Sequence, residues 1–199
     1  SFRIAAGARV FAEGLELASA IGDKPTQVAI KHGLGVLAGC RGENAAARTL
    51  FAECLALLDE IEDESAPLFW ASHISPAILP VGPDGAPRVF FEDTFVLLRS
   101  VSRAAGTGYV LVNIGEAWRA DGDNEAARES LGRALALFRE IGDDQGAGVA
   151  LNVLGNLARV TGEYTAGRAY FSEALALRRA ARDRREIGMS LSGMGMLAL

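Results

Sequence analysis

The only histidines and cysteines of the chain, residue types that bind metals or act as nucleophiles, lie in its first half: His32, Cys40, Cys54 and His73. Zinc sites need cysteines and histidines at short, regular spacings that let the ligands meet around one ion. These residues match no such spacing and do not all fall on one predicted helix. We therefore expect no metal ion and no cofactor, and two buried cysteines that do not form a disulfide framework.

Catalytic motifs are missing from the sequence as well. It contains no phosphate-binding loop, no nucleophile elbow and no zinc-protease motif. Gly33-Leu34-Gly35 followed by Gly39 does not complete a dinucleotide-binding fingerprint, because no strand precedes it. We therefore expect a protein that is not an enzyme.

Charge and hydropathy exclude two further classes of partner. The 199 residues carry a net charge of -5, with 7 Lys/Arg against 13 Asp/Glu in residues 1–98 and 13 against 12 in residues 99–199. A basic cluster could touch nucleic acid, but Asp183 and Glu186 lie beside its arginines, so a solvated helix end is the preferred interpretation. The cluster comprises Arg178, Arg179, Arg182, Arg184 and Arg185. No apolar run could span a membrane, so we expect a soluble cytoplasmic protein that binds neither nucleic acid nor membrane.

A period of 40 residues determines where every candidate side chain lies. Ile114-Gly115, Leu154-Gly155 and Met194-Gly195 follow one another at this interval, and Leu34-Gly35 lies 80 residues before the first of them. Apolar residues within a unit recur at helical spacing. One such stripe comprises Ala127, Leu131, Ala134, Leu135, Phe138 and Ile141. Amphipathic helices joined by short turns pack as antiparallel neighbours, so the pattern predicts an all-α solenoid of helical hairpins.

Each unit contains a first helix, A, and a second helix, B. The A helices are predicted at 25–40, 105–120, 145–160 and 184–199, and the B helices at 3–20, 44–60, 87–103, 124–140 and 164–181. Residues 1–199 then form a single repeat domain, with complete units at 25–61, 65–103, 105–141 and 145–181 and truncated units at 1–21 and 184–199. Gly42, Gly122 and Gly162 should end A helices, and Asn44 and Asn124 should cap the B helices that follow. The chain is expected to be a fragment of a longer protein.

Prolines make the unit at 65–103 divergent. Five of the six prolines lie there: Pro67, Pro76, Pro80, Pro83 and Pro87. Proline inside a helix removes a hydrogen bond and clashes with the preceding turn. Helix A, which begins near Ala66, should therefore be short or kinked after Ser75, and residues 80–86 should form a loop. Helix B should then resume, in phase, with Arg88, Phe91, Phe95, Leu98 and Val101.

The recurring pattern resembles the tetratricopeptide repeat. The family's helix A and helix B positions are filled by Leu151, Leu154, Gly155, Ala158, Gly167, Phe171 and Ala174, and one unit earlier by Leu111, Ile114, Gly115, Trp118, Ala127, Leu131 and Ala134. The period is 40 where the family commonly has 34. Longer units of this kind look like those of kinesin light chains and of the C-terminal repeat regions of bacterial signal-transduction ATPases and transcription regulators. The stretch from Phe138 to Asp143 looks most like the latter group.

The resemblance implies a right-handed superhelix whose concave groove is lined by the A helices. Mapping the family's groove positions onto this chain gives candidate ligand-binding residues His32, Phe69, Ser72, Tyr109, Glu116, Arg119, Asn152, Asn156 and Arg159. Asn152 and Asn156 could hold an extended peptide backbone through their amide donors and acceptors, or could be solvated helix residues. The family's carboxylate clamp is a set of side chains that binds acidic peptide C-termini. Only Asn156 matches one of its positions.

Two functions follow as hypotheses. The first is a non-catalytic protein- or peptide-interaction scaffold within a larger bacterial signalling or transcription regulator. The alternative is a small-molecule-sensing region of such a regulator, with the ligand near the divergent middle unit in a pocket around Phe69, Trp70 and Tyr109. Self-association through exposed terminal helices is a third possibility. The C-terminal residues expected to be partly exposed or packed on a partner are Met189, Leu191, Met194, Met196 and Leu197.

Overall fold

The computed structural model describes residues 2–62, 68–71, 98–180 and 184–197. The chain divides into two compact units, Ser1–Gly106 and Thr107–Leu199. Within the described ranges no helix is long and apolar enough to cross a membrane.

Helical hairpins account for most of the described chain. The first unit contains α1 Phe2–Ala20, α2 Lys24–Cys40, α3 Asn44–Asp59, β1 Leu68–Ala71 and β2 Leu98–Val101. The helices that follow are α4 Arg103–Ala120, which begins at the end of the first unit, α5 Asn124–Glu140, α6 Asp144–Val160, α7 Tyr164–Ala180 and α8 Arg184–Met196. Outside residues 65–103 these helices coincide with the predicted A and B helices, and the all-α solenoid architecture is confirmed.

The turns within the hairpins have the predicted chemistry, with one correction. Gly42 and Gly122 adopt φ of 76° and 84°, the left-handed conformation that favours glycine. The predicted N-caps are wrong by one residue: Asn44 and Asn124 are the first residues of α3 and α5. The cap of α5 is Asp123, whose carboxylate accepts a hydrogen bond from the N–H of Ala126 at 3.0 Å. A carboxylate also interacts favourably with the positive end of the helix dipole.

Glycines on the A helices allow the B helices to cross closely. A Cβ added to Gly155 would lie 2.8 Å from the ring of Phe171, and one added to Gly115 would lie 2.6 Å from Leu131. Gly35 faces the B helix of its own hairpin in the same way. Distances this short leave no room for a side chain, so the glycines fix the separation of the paired helices.

Five of the six residues of the predicted apolar stripe lie in the core of the second unit. Ala127, Leu131, Ala134, Leu135 and Phe138 are buried on α5. The prediction is wrong for Ile141, which follows the helix and is 38% exposed. Burying each of the larger side chains contributes roughly 1.5–3 kcal/mol to the packing of α5 against its neighbours.

The divergent middle differs from the helices predicted there. β1 and β2 pair antiparallel, with Phe69 opposite Ser100 and Trp70 opposite Arg99. The prediction of helix A from about Ala66 is therefore wrong at residues 68–71, and that of helix B over 87–103 is wrong at residues 98–101.

Two properties of the sequence account for this difference. Aromatic and β-branched residues such as Phe69, Trp70 and Val101 favour strands. Pairing two strands also supplies backbone hydrogen bonds to segments whose neighbouring prolines interrupt helical ones. The predicted loop at 80–86 and the resumption of helix B at Arg88 lie outside the described residues.

Candidate functional site

Equivalent polar side chains occur on α4 and α6. Glu116 and Arg119 on α4 correspond, 40 residues later, to Asn156 and Arg159 on α6. Glu116 is buried and the other three are half-buried. We call these four residues the polar row. The two members of each pair are three residues apart, which places them on one face of their helix.

Charge within the polar row is only partly neutralised. Arg119 donates from Nη2 to Oε2 of Glu116 at 2.8 Å, one turn earlier on α4. Arg159 makes no ion pair with any residue in the described part of the chain, and its Nε, like that of Arg119, has no hydrogen-bond partner there. On α6 the polar row therefore places a half-buried amide one turn before a half-buried guanidinium that has no ion-pair partner among the described residues.

Asn152 belongs to a buried network between α6, α7 and α8. Arg178 donates from Nη1 to Ser190 Oγ at 2.7 Å and from Nη2 to the carbonyl oxygen of Gly148 at 3.2 Å. The Asn152 amide faces both side chains. With its oxygen turned towards Arg178, it accepts from Nη2 at 2.9 Å while its NH₂ group donates to Ser190 Oγ at 3.1 Å. In this orientation the amide oxygen faces the donors of the guanidinium and the amide NH₂ group faces an oxygen that can accept from it.

Arg178 and Ser190 occupy positions that are apolar in the other units. Arg178 fills the slot of Leu58 and Phe138, both of which are fully buried, yet its own exposure is only 4%. Gly148 lies against the guanidinium, and a Cβ added to this glycine would be 3.3 Å from Nε. The lack of a side chain at 148 thus leaves space for a long cation where an aromatic ring would otherwise pack.

Sequence reasoning does not identify Arg178 and Ser190 as interacting residues. The prediction that Arg178 belongs to a solvated basic cluster is wrong for its side chain, which is buried. The signal that could have identified it is the repeat itself, because every aligned slot holds an apolar residue. Asn152, by contrast, is a predicted groove residue and proves to be buried.

These hairpins can be compared with known proteins. Residues 106–180, from α4 to α7, match the family model described as Tetratricopeptide repeat. The match contains the whole polar row and also Asn152 and Arg178. A comparison with curated proteins gives no match.

A solved structure extends the likeness beyond the tetratricopeptide match. The crystal structure of BtubC (BKLC) from P. vanneervenii superposes on 98% of this chain with a TM-score of 0.67 and 15% sequence identity. The chain spans 63% of the length of that protein. At this level of identity the likeness establishes a shared helical-repeat fold and leaves function to be argued from the site.

Tyr109, on the first matched helix, is a core residue. It is buried, and its ring lies edge-on to Phe138 with centroids 5.0 Å apart. Such edge contacts contribute about 0.5–1.5 kcal/mol beyond burial.

The remaining candidates lie in the first unit. His32 is buried on α2, with its ring 5.8 Å from that of Phe51. Phe69 lies on β1, its side chain is outside the described part, and Ser72 is outside it altogether. The pocket expected around Phe69, Trp70 and Tyr109 therefore stays a prediction.

Cys54 has the properties of a packing residue, and the expectation of burial is wrong for Cys40, which is half-buried. Cys54 is fully buried and donates to the carbonyl oxygen of Val28 at 3.6 Å. Burial raises the pKa of this thiol to about 12 and also raises the pKa of Cys40. Thiols bind metals and attack electrophiles as thiolates, so both groups are unsuited to either role near neutral pH. Among the described residues no group of three His, Cys, Asp or Glu side chains could hold a metal.

Proposed function

We propose that the chain is a non-catalytic scaffold that binds an extended peptide segment of a protein partner along α4 and α6. The observation that carries the proposal is the half-buried Asn156–Arg159 pair within the tetratricopeptide match. An amide can both donate to and accept from a peptide backbone, and a guanidinium can bind a carboxylate through two donors.

The two asparagines of α6 differ in burial and in hydrogen bonding, and this difference supports a specific site. Asn152 is engaged by Arg178 and Ser190 inside the unit, so it stabilises the helices that carry the row. Asn156, one turn along α6, is half-buried, whereas Asn152 is 6% exposed. We therefore assign ligand contact to Asn156, Arg159 and the exposed part of Arg119, with Asn152 in a positioning role and Glu116 orienting Arg119.

Peptide binding can be tested with ligands selected against the chain from a random display library. Their dissociation constants should be measured by fluorescence anisotropy for the native chain, for Asn156→Ala and for Arg133→Ala. Arg133 is exposed on α5, a B helix, and serves as the matched surface control. We expect Asn156→Ala to weaken binding by about tenfold, or about 1.4 kcal/mol, and Arg133→Ala to leave it unchanged.

Two outcomes would reject this groove. One is a selected peptide that binds both variants as tightly as the native chain. The other is an equal loss in both variants, which would indicate a site away from the polar row. Circular dichroism and thermal unfolding establish that each variant is folded before binding is compared.

The biological setting that we propose is a larger bacterial regulator of signalling or transcription, in the cytoplasm, with longer repeats like those of kinesin light chains. The 40-residue period supports this setting. Expression of the full parent protein with and without residues 106–180 tests it. Loss of a regulated output, with the remaining domains folded, is the expected result.

Small-molecule sensing near the middle unit is the alternative function. Its support is the β1–β2 pair, which interrupts the helical repeat where the other units continue it. A thermal-shift screen with small metabolites would favour this function if a hit lost its effect in Trp70→Ala but kept it in Asn156→Ala. Self-association through the terminal helices is a second proposed interaction.

A further inference from the structure

Arg159, in the last turn of α6, carries a charge that no carboxylate of the described ranges neutralises. Its side chain is half-buried, and its Nε is buried without a hydrogen-bond acceptor there. It takes part in none of the ion pairs that join described residues. A buried donor without an acceptor is destabilising. A ligand that brings an acceptor to Arg159 would remove this penalty.

The carboxyl end of α6 does not need the guanidinium as a donor. Carbonyl oxygens at the end of a helix attract cations when they lack other partners. Those of Leu157, Ala158 and Arg159 already accept from backbone N–H groups of the turn that follows the helix, at 2.8–3.3 Å. The Thr161 hydroxyl donates to the first two as well. Capping of its own helix therefore does not account for Arg159.

Glu163, the acidic residue nearest to Arg159 in the sequence, is engaged elsewhere. Its Oε1 accepts from Nη2 of Arg128 on α5 and from the Thr161 hydroxyl. The carboxylate that could most easily reach Arg159 along the chain is thus held by a cation of another helix.

The equivalent arginine on α4 has a carboxylate of its own. Arg119 donates to Glu116, which is 8% exposed, whereas the slot of Glu116 on α6 holds Asn156. The pair on α4 is therefore neutral, and the pair on α6 carries one positive charge. Arg119 keeps donors for neutral acceptors such as peptide carbonyls, but a second carboxylate placed beside it would be repelled by Glu116.

We propose that the bound peptide carries one Asp or Glu side chain that binds Arg159, and that Glu116 limits the polar row to this single carboxylate. A guanidinium binds a carboxylate through two parallel donors, and the NH₂ group of Asn156 can supply a third. One negative charge matches the α6 pair, whereas a phosphate group would bring nearly two. The inference rests on the proposed function and adds the chemical class of the partner segment.

A side chain within the peptide is favoured over its C-terminal carboxylate. The chain matches the family's carboxylate clamp only at Asn156. The cations that the clamp places beside such an asparagine are missing from the matching slots, and Arg159 lies in a different one. The acidic group that Arg159 binds is therefore assigned to an internal residue of the peptide.

The probes are peptides selected from the display library that lose affinity for Asn156→Ala. Each is labelled with fluorescein and made with every Asp or Glu replaced in turn by Asn or Gln, and with a free or an amidated C-terminus. Fluorescence anisotropy gives their dissociation constants for the native chain, for Arg159→Gln and for Arg133→Gln. Arg133 is exposed on α5, and its replacement changes the net charge equally, so it controls for long-range electrostatics.

Replacement of one acidic residue should weaken binding to the native chain by about tenfold, and Arg159→Gln should weaken binding of the unmodified peptide equally. The two changes together should cost no more than either alone, because they remove the same contact. Arg133→Gln and amidation should leave affinity unchanged.

The role of Glu116 is tested by a parallel selection against Glu116→Gln. The introduced amide still accepts from Arg119 but carries no charge, so this variant should select peptides with a second acidic residue. Replacement of that residue should weaken binding to Glu116→Gln and not to the native chain. Circular dichroism establishes that each variant is folded.

Four results overturn the inference and leave the peptide groove intact. They are peptides without a required acidic residue, an acidic residue whose replacement weakens binding to Arg159→Gln as much as to the native chain, loss of affinity on amidation alone, and tighter binding when phosphoserine replaces the acidic residue. A Glu116→Gln selection without second acidic residues overturns the limit to one carboxylate. If no selected peptide distinguishes Asn156→Ala from Arg133→Ala, the proposed function fails and this inference fails with it.

Discussion

Arg178 donates a hydrogen bond from Nη1 to Ser190 Oγ at 2.7 Å, and both side chains are buried. The bond joins α7 to α8, and Asn152 extends it to α6. Three successive helices are therefore held by directional polar contacts at a position where the preceding unit uses the ring of Phe138. Hydrogen bonds specify one relative placement of the helices, whereas apolar contact tolerates small slips.

Ser190→Ala should destabilise the second unit. Removal of the hydroxyl takes an acceptor from a buried guanidinium and a partner from the Asn152 amide, which costs about 1–3 kcal/mol in the free energy of unfolding. Ser192→Ala, at an exposed position on the same helix, is the control and should change that free energy by less than about 0.5 kcal/mol. Urea unfolding followed by circular dichroism gives both values. Equal stability of the two variants would contradict the role given to the network.

Gly155→Leu should separate α6 from α7. The new side chain must enter the space of the Phe171 ring, which lies 2.8 Å from the Cβ position, and overpacking of this kind costs about 1–3 kcal/mol. Gly132→Leu places the same side chain in open space on α5 and should stabilise by up to about 1 kcal/mol through helix propensity. Thermal and urea unfolding distinguish the two. A stabilised Gly155→Leu protein would mean that the hairpin can open without loss.

Asp143→Ala should weaken the start of α6. The Asp143 carboxylate accepts from the N–H of Gly146 at 3.0 Å, and loss of an N-cap hydrogen bond costs about 0.5–2 kcal/mol. Glu43 occupies the same position before α3 but makes no side-chain cap bond. Glu43→Ala is therefore the matched control and should be close to neutral. The free energy of unfolding in urea is the measurement, and a loss as large at Glu43 would show that helix-end charge, and not the cap bond, is responsible.

Cys54 should make stability fall at high pH. Its pKa is raised by burial from 9.0 to about 12, so the unfolded chain loses this proton before the folded chain does. The unfolded state then binds fewer protons between pH 9 and pH 12, and the contribution of the buried thiol is lost as the pH rises through that window. Cys54→Ala should show a shallower decline over this range. Stability measured against pH for both proteins tests the prediction, and identical slopes would contradict it.

His32 is a predicted groove residue that lies in the core. The family's groove mapping makes it a ligand candidate, but it is 2% exposed and packs against Phe51. Its equivalents are Val112 and Asn152, both of which are also buried. The burial of this slot depends on how far neighbouring helices approach one another, and that distance is set by side chains distant in sequence.

The sequence by itself determined the helices, their 40-residue period and the close crossing at Gly115 and Gly155, because helical periodicity and small residues at contacts are local properties that repeat in register. It did not determine the β1–β2 pair, which depends on hydrogen bonding between segments about thirty residues apart. Nor did it determine that Arg178 is buried. A guanidinium can enter a core only where other helices supply acceptors, and Gly148 and Ser190 are brought to it by tertiary packing alone.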